Sequence, residues 1–350
     1  MRPLTIAIVI AAALGGTALI NASSVLACAG LIGSNGAVNL GRTSTLAAYH
    51  DGVEHYVTAF EFQGGGGEFG TLIPLPAVPT KVERGGAWTL QRLAIETQPP
   101  LAEGDGLLQR SAAGFAPAEV LQEVRIDALD ITVLEGGGPA VATWAQEHGF
   151  RLSPDAPEVL DFYAQRSPIF LAAVFDGEAA AARGQQVGDG TPVHITMPTS
   201  NPWVPLRILG LGKQAEDPVD ADVYLLTDEQ PALLPAPSDA LALAHNDAAT
   251  TLLLDDLRSD EGMSWVPRSA WLTKLQVNSA AADLDFDLAI DASGANRPSP
   301  VAAGLALPGT GSDGVPLGLI AAVTAASIAI LVVIGVRARQ QGAEQWQAGA

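Results

Sequence analysis

Hydrophobic and polar positions alternate in short blocks along this chain, and Gly, Pro, Asn and Asp separate the blocks. Thr43–His50 and His55–Gln63 are two β-favouring runs, and Asp51-Gly52-Val53-Glu54 between them predicts a hairpin turning at Asp-Gly. Tyr56, Thr58, Phe60 and Phe62 share one face of the second run, with Val57 and Ala59 on the other. Phe69–Ile73 reads as a third strand, ended by Pro74, Pro76 and Pro79. Trp88, Leu90, Leu93 and Ile95 give Ala87–Thr97 a helical spacing that stops at Pro99-Pro100. Val120–Leu134 alternates imperfectly and predicts one strand with a bulge near Ala128. Ala140–His148 and Pro157–Gln165 read as short helices. Ile169–Phe175, Val193–Met197, Val204–Leu211 and Val223–Thr227 read as strands. The Pro/Ala-rich residues 228–247 mark the best place for an internal boundary. Leu252–Arg258 has helical character, and Trp271–Val277 and Leu284–Ile290 complete a strand-rich C-terminal part. The predicted class is α+β: a mainly antiparallel β-sheet domain over residues 28–291 with a few short helices.

Two apolar stretches at the ends depart from this pattern. Arg2 followed by Leu4–Leu14 has the charge and hydropathy of a secretory signal, and Val25-Leu26-Ala27 suits signal peptidase, so residues 1–27 are expected to leave and Cys28 to begin the mature chain. Cleavage between Ala27 and Cys28 also raises lipidation of Cys28, although Val25 and Leu26 match a lipobox poorly. Val315–Val336 carries no charge and would rise about 33 Å as a helix, enough for a hydrocarbon core of about 30 Å. Arg337 and Arg339 follow it and place residues 337–350 on the cytoplasmic side. Before it, residues 292–314 read as a Ser/Pro/Gly linker containing Leu307-Pro308-Gly309-Thr310-Gly311. That order resembles the sorting signal of Gram-positive surface proteins, which a sortase joins to the cell wall. A permanent transmembrane anchor is the other reading. Both place the ectodomain outside the cell, at the membrane or the wall.

Composition narrows the partners. Eighteen basic against 38 acidic residues give a net charge of −20, which repels phosphate backbones and argues against nucleic acid. The one cysteine excludes an internal disulfide, so stability rests on core burial.

Ala47-Ala48-Tyr49-His50-Asp51-Gly52-Val53-Glu54-His55-Tyr56-Val57-Thr58 and Ile73-Pro74-Leu75-Pro76-Ala77-Val78-Pro79 resemble the bacterial "domain of unknown function 2330" family. Ala172-Ala173-Val174-Phe175, Trp203-Val204-Pro205-Leu206-Arg207-Ile208 and Trp271-Leu272-Thr273-Lys274-Leu275 are similar to its later blocks. The resemblance covers most of residues 28–290. It implies an exported bacterial domain of actinobacterial type and carries over no catalytic residue. Some members hold a second cysteine near the mature start, which this chain lacks.

Candidate chemistry is sparse. His50 and His55, with Asp51 and Glu54 between them, are the nearest thing to a metal-ligand cluster, and their spacing reads as a polar hairpin end. His148, His194 and His245 are isolated in sequence. Asp283, Asp285 and Asp287 imitate the start of a calcium loop, but Leu288 and Gly294 stand where such a loop needs glycine and glutamate. The alternation of Leu284, Phe286 and Leu288 predicts a strand whose carboxylates face water. No G-x-S-x-G elbow or phosphate loop occurs. Trp88 and Trp203 read as core residues. No cofactor, metal or catalytic residue is assigned. The functional expectation is a surface-anchored, non-catalytic binding or cell-envelope scaffolding module. The alternative is an envelope hydrolase whose site is assembled from distant residues, and a cleft gathering two histidines with a carboxylate is the feature that would favour it.

Overall fold

The computed structural model describes residues 30–33, 43–60, 69–98, 119–176 and 191–308. In chain order these form β1 (Gly30–Gly33), β2 (Thr43–His50), β3 (Val53–Phe60), β4 (Phe69–Leu75), β5 (Lys81–Arg84), α1 (Thr89–Glu96), β6 (Glu119–Ile126) and β7 (Leu129–Glu135). Next come α2 (Gly138–Glu147), α3 (Ala156–Ala164), β8 (Ile169–Phe175), β9 (Thr191–Pro198), β10 (Trp203–Val204) and β11 (Pro218–Thr227). The last are β12 (Ala232–Leu234), β13 (Leu241–Ala248), α4 (Thr251–Ser259), β14 (Trp271–Ala280) and β15 (Leu288–Asp291). The α+β class is as the sequence predicts, with β-sheet dominant.

Three sheets arise. One has five strands in the order β1-β4-β8-β7-β6, one has three in the order β10-β15-β12, and the largest has seven in the order β13-β14-β11-β2-β3-β9-β5. Every pairing is antiparallel except β2 with β11. Alternation along the strands decides the layering, because successive residues face opposite sides. On β2, Ala47 enters a core shared by the five- and seven-stranded sheets, together with Tyr56, Ile73, Ile131, Leu171, Ile195 and Val223. Its neighbours Leu46 and Ala48 face the other way, into a layer with Leu90, Leu93, Leu253 and Leu257 of α1 and α4. Leu72, Leu134 and Phe170 similarly turn from the five-stranded sheet onto Val141, Trp144, Leu160 and Tyr163 of α2 and α3. The result is four layers, helix–sheet–sheet–helix.

Several expectations change. The first hairpin is tighter than Asp51–Glu54: His50 pairs with Val53, and Asp51 and Gly52 both have positive φ (50° and 79°), the twist-matched two-residue turn. Val120–Leu134 is not one bulged strand. Asp127 takes a left-handed conformation (φ 56°), Ile126 pairs with Leu129, and the chain reverses into β6 and β7; the bulge lies instead between Val120 and Gln122. Asp is among the few non-glycine residues that enter that conformation, and here the Asp127 carboxylate pairs with Arg84 of β5. Val204–Leu211 leaves the strand after Val204 and coils into a 3-10 turn at Arg207–Gly210. Residues 228–247 are no boundary, since β12 and β13 pair with β15 and β14, and one compact unit runs up to Gly304. That unit includes the first part of the expected linker, where Ala302 and Ala303 are buried. The Val315–Val336 span lies outside the described residues, among which no helix is long and apolar enough to cross a membrane.

Candidate functional site

Ala27, Cys28, Gly309, Thr310 and Gly311 lie outside the described residues. Leu307 and Pro308 lie inside, and Leu307 is exposed. His50 does not meet His55: its Nδ1 stands 2.6 Å from Asp228 Oδ1 and its Nε2 3.3 Å from Asp51 Oδ2, at the exposed end of the hairpin. Trp203 is buried and stacks on Tyr163 at 5.8 Å between ring centres.

The water-facing strand expected around Asp287 is overturned. Asp283 and Asp285 are exposed, but Asp287 is fully buried and β15 begins only at Leu288. Its Oδ1 accepts from the Tyr163 hydroxyl (2.9 Å) and from the Leu206 and Arg207 N–H groups (2.7 and 3.0 Å). Its Oδ2 meets Arg166 Nη2 at 2.5 Å. Burial pushes the Asp287 carboxyl up, against the pull of Arg166 and the two backbone donors. Arg166 also donates to the Ala302 carbonyl at 2.6 Å, and its guanidinium lies 4.2 Å over the Phe162 ring. Every partner comes from the fold itself, so this network is a clasp joining α3, the 3-10 turn and the stretch before Gly304.

A different cluster forms on the helix-facing side of the seven-stranded sheet. Tyr56 points into the sandwich, so His55 points out with Val57. Val57 pairs with His194 of β9, which pairs with Glu83 of β5, and all three fall on that same side. His55 Nδ1 and His194 Nε2 stand 2.9 Å apart, within hydrogen-bonding distance whichever ring carries the proton. The other ring nitrogen of His194 is 3.4 Å from Glu83 Oε1, close enough for an ion-pair contact but outside hydrogen-bond geometry. Glu83 Oε2 meets Lys81 Nζ at 2.7 Å. Trp265 lies over both imidazoles, 3.9 Å from His55 at 4° between planes and 5.1 Å from His194 at 24°.

Local structure holds that indole in place. The segment after α4 is pinned by Asp260, whose carboxylate accepts from the Ala87 and Trp88 N–H groups (3.1 and 3.0 Å) and from the Thr89 hydroxyl (2.9 Å). Met263 and Val266 are buried, and Arg258 donates to the Pro267 carbonyl at 2.7 Å. Gly262 crosses β5 at φ +78°, where a Cβ would stand 2.7 Å from the Arg84 carbonyl.

Burial dominates the electrostatics of the pair. It lowers His55 to about 4, helped by the neighbouring His194 and His50. It lowers His194 to about 4 as well, although Glu83 pulls upward. Both rings are therefore neutral at pH 7, each with one donor and one acceptor nitrogen. His194 is fully buried and His55 half-buried, as is Trp265. The Trp265 indole N–H is buried without a partner. Among the described residues no group of three or more His, Cys, Asp or Glu side chains is arranged to hold a metal ion. Sequence reasoning missed this cluster because His55, Glu83, His194 and Trp265 lie on separate segments with no common motif.

The fold is a helix–sheet–sheet–helix α+β domain with this ring cluster on one face. Residues 22–284 match the family described as "Uncharacterized protein conserved in bacteria (DUF2330)", and the chain belongs to that family. No curated protein matches it. Among solved structures it is similar to a mutated baculovirus P35 after caspase cleavage, at 9% identity and a TM-score of 0.39, over 72% of this chain and 99% of that one. P35 in a caspase-8/P35 complex is similar at 8% identity and a TM-score of 0.37, over 73% of this chain and 98% of that one. A likeness this remote carries no argument about function.

Proposed function

We propose that the protein is an exported, surface-held binding module of the bacterial cell envelope, and that its ligand contacts Trp265 and His55, the half-buried members of the ring cluster. The ends of the sequence support the location: a secretory start at 1–27, Leu307–Gly311, and the apolar run Val315–Val336. The observation that carries the binding reading is the pair of neutral, mutually bonded imidazoles stacked against a half-buried indole. A half-buried indole offers part of a large, rigid apolar ring to a ligand. A chain of net charge −20 disfavours polyanions, and the ligand class this reading puts to the test is an uncharged, hydroxyl-rich polymer such as an envelope glycan.

The test is co-sedimentation of the full-length protein with purified neutral cell-wall glycan. Retention by the wild type, weakened at least about tenfold by Trp265→Ala (about 1.4 kcal/mol), supports the reading. Failure of the wild type to sediment, or an undiminished Trp265→Ala, overturns it.

The second reading is an envelope hydrolase, favoured by the bonded imidazole pair His55–His194 with the Glu83 carboxylate 3.4 Å from the other nitrogen of His194. In it His55 serves as general base toward water, and Glu83 and His194 are positioning residues. Hydrolysis of a wall substrate that vanishes in His55→Ala while sedimentation persists would select it.

A further inference from the structure

Glu54 neighbours His55 on β3, but strand alternation turns it the other way, toward the sandwich. It pairs across the strands with Tyr49 of β2 and Met197 of β9, and the backbone N–H of Trp203, on β10 of the three-stranded sheet, acts on it. The side chain therefore lies where the seven-stranded and three-stranded sheets meet. It is fully buried, and neither carboxyl oxygen has a hydrogen-bond partner. A buried acceptor without a donor is costly, and an ionised one far more so.

We propose that Glu54 is a buried proton-binding site beside β10, whose neutral form lets the strand close over it, and that loss of this proton opens the β10 end to water. Among the described residues no positively charged group acts on Glu54. Tyr49 commits its hydroxyl to the Thr199 carbonyl at 2.8 Å. Burial raises the Tyr49 phenol, and the charges of Glu54 and of Asp291 at the end of β15 raise it further. Met197 is apolar. The Trp203 N–H is the one group that favours the carboxylate, and burial outweighs it, keeping the acid well above the usual carboxylate range.

The sign follows from proton linkage. Above the ordinary carboxylate range the unfolded chain has lost this proton while the folded chain keeps it. Stability conferred by Glu54 is full in acid and falls as pH rises toward its folded pKa. In that window the unfolding equilibrium constant grows about tenfold per pH unit. Asp287, also raised, acts in the same direction. His55 and His194 act oppositely, losing stability as pH falls from about 6.5 through about 4. The difference between wild type and Glu54→Met, which replaces the acid with an apolar side chain of similar length, isolates the site.

Urea unfolding of the full-length protein from pH 5 to 9 makes the measurement. The wild type should weaken relative to Glu54→Met as pH rises, and infrared spectra of the wild type at pH 7 should hold a protonated-carboxyl band that the variant lacks. Hydrogen exchange, corrected for intrinsic rate, should show the Val204 amide losing protection before the β8 amides at high pH. Parallel stability curves, or a wild type without the band, overturn the buried acid. Loss of β10 and β8 protection together overturns the local opening. If Glu54→Met does not fold, Glu54→Gln, a neutral side chain of the same size, takes its place in the same measurements.

Discussion

Asp287 gathers four donors from two separate parts of the chain, and its local sequence announces none of them. The period of Leu284, Phe286 and Leu288 is real, and Leu284 and Leu288 are buried. Period alone carries no information about Arg166, which lies 121 positions away. The same limit hid His194, whose partners His55 and Glu83 sit on strands that become its neighbours only in the sheet. Short-range signals fared better: Asp51-Gly52 was legible as a turn because positive φ is rare elsewhere, and Trp203 as core because it sits among apolar residues. A buried charge that loses its partner keeps its desolvation cost. Arg166→Met should therefore destabilise the fold by about 3–5 kcal/mol, leaving Asp287 without its counter-charge. Adding Asp287→Leu should recover part of that loss. Urea unfolding of the two variants checks it, and a double variant weaker than Arg166→Met would refute the clasp as an interdependent pair.

Secondary elements were legible where periodicity and punctuation agree. β2, β4 and β8 have runs of alternating or continuously apolar residues that end at turns. β6 and β7 were merged because Asp127-Ala128 lacks the glycine that usually announces a two-residue reversal. β12 and β13 were hidden by a Pro/Ala-rich composition, and they are strands because β15 and β14 offer them edges. Helix starts show the same contrast. α4 is capped by its own Thr250 hydroxyl, which accepts from the Leu253 N–H, a signal visible in sequence. α1 is served from afar by Asp260, a cap that no reading of residues 85–96 reveals. Asp260→Ala leaves the Ala87 and Trp88 N–H groups and the Thr89 hydroxyl without that acceptor, and it unpins the segment carrying Trp265. The expected cost is about 1–3 kcal/mol, with hydrogen exchange in α1 rising more than in α3. Equal exchange in both helices would show that Asp260 does not hold α1.

For the whole molecule, the ends of the sequence give the clearest reading of place and the middle gives the fold class, but the order of layers depends on long-range strand pairing that local pattern leaves open. If Thr310 is the residue joined to the wall, Thr310→Ala should shift the protein from the wall fraction to the membrane fraction while Val315–Val336 still inserts. Unchanged fractionation would identify the apolar run as the permanent anchor. The layering also has a temporal side. β2 is flanked by β3, its immediate successor, and by β11, whose paired residues Ala221–Thr227 follow Thr43–Tyr49 at a distance of some 180 positions. As the chain emerges residue by residue, the β2–β3 hairpin closes early and shows two bare strand edges, that of β3 until β9 has emerged and that of β2 until β11 has. Contacts this distant in sequence form slowly, and an exposed edge recruits other strands in the meantime. The edge of β2 is thus open to mispairing until β11 has emerged, and an early stop before residue 218 leaves it with no partner from its own chain.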